Sequence, residues 1–546
     1  MRLALVQLYS EEQSPTSAPY SIEILGGHVQ ANLPDWQTQL FILDNRNAAD
    51  VKALIDDLIA FDAQVIGVSM MQGTHTVGCE LLDQIYACTN AAKHAPQVII
   101  GNTLPTYRPD PYLERYPELL IVRGFGEVPL EKALHTYADW DAQGRPAKGL
   151  DYASLPGIAL RRDGTTYRTP VAWPADYSVP ARVDTDKYFS RIETSRGCHF
   201  DCCTFCTRPP RERSQPRWSR FSMDPIMDAI EKLRDQGVTR FTFCDEDFIG
   251  DNPEFCFELA DRLEEMGNMM SFSFSTRADN IIDLKASDAE NAQRVALLER
   301  LRDVGLSLLF VGCESFCDRQ LKRFAKSVKA YGNVRALQVL SDLGLSVEAG
   351  FIMFDPFSTL DDLFENIANL EKYELWKVAS QTLSRIDVQA NAPLAKWVER
   401  EGLIGEYDVN QMTYAYTFKD PVVQKIADWC QVWKDETDNA YRLARNAQRM
   451  ALFNEFPNHV MEDAKRLNFT FVKRVTETAA VNLDQVPAVI AEMRATRHEV
   501  IDNMHQAAHS PRVHSHMAER LREEIDITSA LKPLTGRDDY ALKPAT

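Results

Sequence analysis

Short apolar runs alternate with amphipathic helical segments twice along this chain, and that alternation restricts the fold more than any other feature. Across residues 1–135, LALVQLY, QLFILD, QVIGVSM, QVIIG and ELLIVRG read as strands. Between them, VKALIDDLIA sets Val51, Leu54, Ile55, Leu58 and Ile59 on one helical face, and a further helix is expected from about Val77 to Ala92. Strand and helix in strict alternation imply right-handed crossovers and an α/β fold with a doubly wound, Rossmann-like parallel sheet. Such sheets bind ligands outside the carboxyl ends of their strands. Those ends carry Ser69-Met70-Met71-Gln72, Gly101-Asn102-Thr103 and Gly124-Phe125-Gly126-Glu127.

The second alternation runs over residues 188–400. RIETS, RFTFCD, SFSFST, SLLFVG, SVEAGFIMF and SRIDVQA read as strands, with helices near 222–236, 253–267, 290–304, 327–343 and 359–373. Six such repeats predict a (β/α)6 partial barrel, with its chemistry at the carboxyl ends of the strands. Residues 136–187 read as a connector punctuated by Gly and Pro, in which RRDG marks a hairpin. Residues 401–546 read as mainly helical and polar, with Trp429, Trp433 and Tyr441 spaced along them and a frayed last dozen residues.

Composition narrows the function classes. The 546 residues are 45% hydrophobic and 25% charged, a globular balance that leaves core enough for roughly three or four domains. Lys and Arg number 60 against 79 Asp and Glu, a net charge of −19. A uniformly acidic surface repels phosphate backbones, so nucleic acid is not expected as a partner, although a local basic groove stays open. No stretch approaches 18 uncharged apolar residues, so no membrane span is expected. The apolar stretch at the N-terminus is too short for a signal-peptide core, and the expected location is cytoplasmic.

Four of the eleven cysteines fall within nine residues, at Cys198, Cys202, Cys203 and Cys206. A secreted disulfide scaffold would be short and evenly cross-linked, so this clustering points to a reducing compartment and a metal site. The segment TSRGCHFDCCTFC (residues 194–206) directly follows the first barrel strand, which makes it a strand-end loop. Three thiolates hold three irons of a [4Fe–4S] cluster and leave the fourth iron open to substrate or cofactor. Zinc, the competing reading, would want a fourth Cys or His at a second knuckle, and no second CxxC occurs in the sequence.

On these residues the chain resembles the radical S-adenosylmethionine (SAM) enzymes, whose usual spacing is CxxxCxxC. TRFTFCDEDFIGD (residues 239–251) is similar to their second strand, LLFVGCES to the G-x-E-S of their fourth, and AGFIMFDPFSTLDDL to their fifth strand and its helix. VIGVSMM, VIIGN, LLIVRGFGE and the connector phrase LPGIALRRDG are similar to the cobalamin-binding domain that precedes the barrel in class B radical SAM methyltransferases. The likeness covers roughly residues 1–400 and leaves the C-terminal region unmatched. The first gap departs from the usual spacing: Cys198-x4-Cys203-x2-Cys206 keeps the CxxC half with its aromatic, Phe205, and is favoured, with Cys202 as the alternative middle ligand.

The resemblance implies a [4Fe–4S] cluster that binds the methionine end of SAM, and cleavage of SAM to methionine and a 5′-deoxyadenosyl radical. It also implies an electron donor such as flavodoxin or ferredoxin, a bound cobalamin, and methyl transfer to an unactivated carbon of a small-molecule substrate. Cyclisation, rearrangement or another SAM-derived group transfer is the alternative, and a non-catalytic metal-binding protein is a third reading. Carried over residue by residue, it sets Asp245, Glu246 and Asp247 at the methionine ammonium and Arg277 at the SAM carboxylate. Glu314 and Ser315 fall at the ribose hydroxyls, and Asp355 at the adenine or substrate pocket. Helix capping, including a Ser358–Asp361 box, and surface ion pairing stay open for these positions. Around cobalamin the resemblance sets Ser69, Met70, Met71, Gly101, Asn102, Gly124, Gly126 and Glu127, with Ser69 at the nucleotide tail and Met70 or Met71 beneath cobalt. A sheet that only packs on the barrel is the other reading, since no His has an Asp two residues before it to form the cobalt-ligating D-x-H-x-x-G. Arg208 and Arg211-Glu212-Arg213 follow the cluster as solvated charge or as partners of its charge.

Overall fold

The computed structural model describes residues 1–9, 19–44, 48–89, 95–146, 150–173, 176–182, 190–208, 210, 215–268, 270–450 and 458–508. They fall into two compact units, residues 1–351 with 386–419, and residues 352–385 with 420 onward.

The first unit begins with seven strands: β1 (Arg2–Tyr9), β2 (Gln37–Asp44), β3 (Val65–Ser69), β4 (Gln97–Gly101), β5 (Leu120–Val122), β6 (Ile158–Arg162) and β7 (Thr165–Arg168). They form one sheet in the order β2-β1-β3-β4-β5-β6-β7. The first five pair in parallel and the last two antiparallel. The hairpin expected in the connector is therefore part of this sheet and covers the β5 edge, which would otherwise present unpaired backbone. Side chains of β1 divide between two cores. Leu3 and Leu5 join Val65, Ile99 and Leu130 on one face, and Ala4, Val6 and Leu8 join Ile66, Val68 and Ile100 on the other. Burial on both faces is why these strands read as unbroken apolar runs.

Next come β8 (Ser190–Ile192), the short antiparallel pair β9 (Ser195–Gly197) and β10 (Trp218–Arg220), then β11 (Arg240–Phe243), β12 (Ser271–Arg277), β13 (Leu306–Glu314) and β14 (Ser346–Phe351). Strands β8 and β11 to β14 form a parallel five-stranded sheet in the order β14-β13-β12-β11-β8. Helices Met223–Asp235, Pro253–Glu265, Asp288–Asp303 and Ala330–Asp342 return the chain between strands. Phe241, Phe243, Phe248, Phe272 and Phe274 are fully buried against one another, with Phe248 stacked on Phe274 at 4.3 Å. The expected sixth strand does not form. SRIDVQA makes one parallel bridge, Arg385 to Phe354, and then turns away. Its end is β15 (Val388–Gln389), which pairs antiparallel in a separate sheet with β16 (Ile404–Asp408) and β17 (Thr413–Tyr416). Pro393, which lacks the N–H that a ladder needs, opens a helix just beyond and ends the run. Residues 404–416, expected to be helical, are thus mostly strand.

The second unit holds helix Leu360–Lys372 and three long helices, Pro421–Met450, Asn458–Val481 and Val486–Ala508. Trp433 is buried and stacks on Phe471 at 4.1 Å, its indole N–H donating to Asn468. Tyr441 donates to the Ser380 carbonyl. These aromatics pack a helical core. The frayed end expected from sequence lies outside the described residues.

Candidate active site

The cysteine loop is pinned at its start. Gly197 has a φ of 82°, and a Cβ there would lie 2.2 Å from the Arg217 carbonyl oxygen, so only glycine lets β9 approach β10 this closely. Asp245, buried just beyond β11, accepts from the Thr194 N–H (3.1 Å), the Thr194 hydroxyl (2.7 Å) and the Ser195 hydroxyl (2.5 Å). Past this anchor Cys198 is buried, Cys203 and Cys206 are half-buried, and Cys202 is exposed beside Arg217. Burial pushes the Cys206 thiol up to about 11; Arg208 opposes the rise, while Cys203 and Cys198 add to it. Arg208 donates to Cys206 Sγ and holds Asp201 at 2.6 Å. The Cys206 thiol thus feels Arg208, Cys203 and Cys198, while Cys202 lies beside Arg217. Among the described residues no group of three His, Cys, Asp or Glu side chains is already arranged to hold a metal ion, the thiols of this loop included. Arg211, Glu212 and Arg213 lie outside the described residues.

The other strand-end residues differ in what they already hold. Asp247 is fully buried, and its Oδ1 accepts from Thr276 (3.0 Å) and Asn280 (2.9 Å). Its Oδ2 has no hydrogen-bond partner and sits 3.7 Å from His199 Nδ1, which is likewise unpartnered. This carboxylate raises the His199 imidazole above its ordinary range. Glu246 is exposed and makes no hydrogen bond or ion pair among the described residues. Arg277 pairs with Asp279 at 2.6 Å and lies 3.7 Å over the Phe200 ring. Glu314, at φ 64° beside a register shift in β13, pairs with buried Lys326 at 3.3 Å. Ser315 is fully buried, donating to Gln320 (2.6 Å) and accepting from the Cys317 N–H (3.0 Å). Asp355 lies in the second unit and accepts from the Phe357 N–H (2.9 Å) and the Ser358 hydroxyl (3.0 Å). The capping box there is Thr359–Asp362, one residue later than the sequence suggests, because Ser358 bonds back to Asp355. Asp245, Ser315 and Asp355 therefore have their side chains engaged in local structure, Ser315 and Asp355 in turns just ahead of a helix whose N-cap is another residue, Cys317 and Thr359 respectively.

A cavity of about 590 Å³ opens at the carboxyl edge of the first sheet. Ser69, Met71, Gly101, Asn102, Gly124, Gly126 and Glu127 line it, together with Glu193, Arg196 and Cys244 from the ends of β8 and β11. Met70 is not among them. It follows Ile66 and Val68 to the opposite face of β3 and is fully buried in that core, as the two-residue repeat of a strand requires. The polar wall is a chain of hydrogen bonds. Asn102 donates to Ser69 Oγ (2.9 Å), Ser69 Oγ is 3.1 Å from Ser21 Oγ, and Ser21 donates to Gln7 (2.7 Å). Gln7 Nε2 lies 3.3 Å from Met71 Sδ. The sequence reading passed over Gln7 and Ser21; the available signal was Gln7, a polar residue inside the otherwise apolar β1 run.

Glu127, the first residue of helix Glu127–Ala142, pairs with Arg196 NH1 at 2.6 Å through Oε1. Its Oε2 is buried without a partner among the described residues. Arg196 also grips Glu193 through Nε (2.9 Å) and NH2 (2.8 Å) and lies 4.8 Å from the Phe125 ring centroid. Burial pushes the Glu193 carboxyl up to about 7, with Arg196 opposing. Neither Glu193 nor Arg196 was singled out from sequence.

A doubly wound domain with a strand-edge cavity, joined to a parallel barrel sheet whose first strand leads into a loop bearing Cys198, Cys203 and Cys206, is the architecture of a cofactor domain ahead of a radical SAM domain. Residues 192–370 match the family model of the Radical SAM superfamily, so the chain carries a radical SAM domain. The whole fold is that of the cobalamin-dependent radical SAM enzymes. The chain is similar to the OxsB structure titled a cobalamin-dependent S-adenosylmethionine radical enzyme with aqua-cobalamin and S-adenosylmethionine bound (TM-score 0.77, 21% identity, 98% of this chain and 82% of that one). It is also similar to the radical S-adenosylmethionine methyltransferase TsrM from Kitasatospora setae with tryptophan substrate and a SAM analogue bound (TM-score 0.58, 17% identity, 73% of this chain and 76% of that one). Among curated proteins it is 24% identical over 482 residues to the 4′-phospho-dehydrooxetanocin synthase of Priestia megaterium, covering 77% of this chain and 64% of that protein. It is 22% identical over 332 residues to an uncharacterized methyltransferase of Pyrococcus horikoshii, covering 58% of this chain and 65% of that one. The chain thus spans just under two thirds of the length of these curated relatives. No helix among the described residues is long and apolar enough to cross a membrane.

Proposed function

We propose that the protein is a cobalamin-dependent radical SAM enzyme that transfers a methyl group to an unactivated carbon of a small molecule. The observation that carries this reading is that one short segment bears Cys198, Cys203 and Cys206 and also Arg196, a wall residue of the strand-edge cavity. When bound, the cluster would supply the electron for SAM cleavage and cobalamin a carrier for the methyl group. Cys198, Cys203 and Cys206 would hold three irons and leave one open, with Arg208 offsetting the thiolate charge. Glu246, with its carboxylate unengaged near Cys206 and Arg208, suits the methionine ammonium. Arg277 suits the carboxylate and Glu314 the ribose, each already oriented by its ion-pair partner. Ser69 and Asn102 suit a nucleotide tail, and Met71 suits the lower face of a corrin. Leu5, Ile99, Ile100 and Val122 give the cavity an apolar floor. A small electron-transfer protein such as flavodoxin or ferredoxin would deliver the electron.

A second reading keeps the same cofactors and makes the outcome a rearrangement or another SAM-derived transfer. The likeness to OxsB, which extends over 98% of the chain against 73% for TsrM, favours it, as does a curated relative named a synthase. Anaerobic reconstitution with iron, sulfide, cobalamin, SAM and dithionite tests both. We expect 5′-deoxyadenosine, and for the methyl-transfer reading S-adenosylhomocysteine beside it. Absence of 5′-deoxyadenosine overturns both readings; 5′-deoxyadenosine without S-adenosylhomocysteine selects the second.

A further inference from the structure

Glu127, Arg196 and Glu193 form a line of buried charge between the two parts of the first unit. Glu127 opens the helix after β5, Glu193 follows β8, and Arg196 stands two residues before Cys198. All three line the cavity, and the Glu127 and Arg196 side chains are only 7% and 8% exposed. Phe125 and Glu127, both from the strand-end loop of the first sheet, hold the Arg196 guanidinium from its face and its edge at once. A guanidinium buried between two carboxylates keeps its geometry, because losing either bond strands a charge away from water.

The bridge is one hydrogen bond short. Among the described residues Glu127 Oε2 is buried and has no donor, on a residue that forms the cavity wall. A carboxylate oxygen shut away from water calls for an N–H or O–H. A corrin carries carboxamide N–H groups around its rim, and these are donors of the right kind.

We propose that a carboxamide N–H of the corrin in this cavity completes Glu127, and that the Glu127–Arg196–Glu193 bridge is a positioning device through which filling the cavity fixes the cluster loop for SAM. This rests on the cobalamin reading above. With Oε2 satisfied, both Glu127 oxygens are held, and Arg196 and the backbone leading to Cys198 are held with them. Linkage requires reciprocity, so SAM tightens cobalamin by the factor with which cobalamin tightens SAM.

The test uses full-length, cluster-reconstituted protein under anaerobic conditions. SAM is titrated against the electron paramagnetic resonance signal of the reduced cluster, with and without hydroxocobalamin, and cobalamin is titrated by absorbance with and without SAM. In wild type we expect SAM to bind at least about fivefold more tightly with cobalamin present, and cobalamin to tighten equally with SAM. Arg196→Lys keeps the charge but cannot hold two carboxylates in a fork. Arg196→Lys and Glu127→Gln should each bring the ratio close to one while iron content stays at the wild-type level. A wild-type ratio of one overturns the inference whatever the variants do, and so do variants that retain the wild-type ratio. A wild-type protein that retains no cobalamin at all fails the cofactor reading itself, a different result from cobalamin bound without coupling.

Discussion

The two strand-end regions of the first unit are built from opposite materials. At the edge of the first sheet the polar groups are mostly neutral. Gln7, Ser21, Ser69 and Asn102 bond to one another along the wall and leave a cavity beside them. At the edge of the barrel sheet the groups are charged and already matched: Asp245 to Thr194 and Ser195, Arg277 to Asp279, Glu314 to Lys326. A neutral wall loses little when a large ligand displaces its water, whereas buried charges need partners before any ligand arrives. A polar residue at a strand end is therefore a weak sign of a ligand contact, and an unsatisfied hydrogen-bonding group there is a stronger one. By that measure Glu246, Asp247 Oδ2 and Glu127 Oε2 stand apart.

The harshest break is at the charged edge. Cys198→Ala, Cys203→Ala and Cys206→Ala should each reduce cluster absorbance and 5′-deoxyadenosine formation to background, while Cys202→Ala leaves both near wild type. A Cys202→Ala protein without a cluster would move the middle ligand to Cys202. Next in size is Asp245→Ala, which strands the Thr194 N–H and two hydroxyls in a buried site and should cost about 3–5 kcal/mol in chemical denaturation of the cluster-free protein. The matching change at the neutral edge, Ser69→Ala, should cost about 1 kcal/mol. Equal losses would erase the distinction between the two edges.

The sequence made the elements legible because both domains announce themselves by period and length: five parallel strands of the first sheet and five of the barrel fall on the runs marked for them. The thiol loop stood out through its four clustered cysteines and its place just after the first barrel strand, not through the usual spacing, from which its first gap departs. What stayed hidden depends on three-dimensional partners. Met70 and Met71 look equivalent in sequence, and only the face of β3 separates them. Asp245, Glu246 and Asp247 look like one acidic motif, yet the first anchors Thr194, the second is exposed and the third bonds Thr276 and Asn280. The sixth strand did not form because the run leaves the barrel sheet after the Arg385 bridge and pairs with β17 instead, and Arg196 gave no sign of its two carboxylates, which lie far off in the chain or on its near side without a motif.

Glu193 sharpens the comparison through pH, because it sits where the two edges meet. Its folded carboxyl titrates at about 7, against about 4.5 in an unexceptional setting. The native state therefore holds a proton between these values that the unfolded chain has released. The stabilisation is complete below about pH 4.5 and is lost as pH rises through 7, for a total of up to about 3 kcal/mol. Glu193→Gln should remove this slope, so the difference in denaturation midpoint between wild type and variant should change across pH 4.5–7 and flatten above it. Glu246→Gln should act on the ligand instead. SAM affinity should fall roughly 10- to 100-fold, the scale of one charge-assisted bond, with stability unchanged.

A last pair of variants tests whether the neutral edge is also strained. Asn102 has φ 80° and ψ −164°, a region that glycine occupies and other residues avoid, and its side chain both donates to Ser69 and accepts from the Thr103 N–H. Asn102→Gly gives up the two side-chain bonds but relaxes the backbone, so stability should stay within about 1 kcal/mol of wild type. Asn102→Ala gives up the same bonds and keeps the strain. Because both variants lose the same side-chain contacts, the gap between them isolates the backbone, and it should be about 1–3 kcal/mol in favour of glycine. Two variants of equal stability would mean that the loop relaxes without cost. The wall from Ser69 to Asn102 would then be a soft surface that shapes itself to the ligand, where the barrel edge is fixed in advance by its ion pairs.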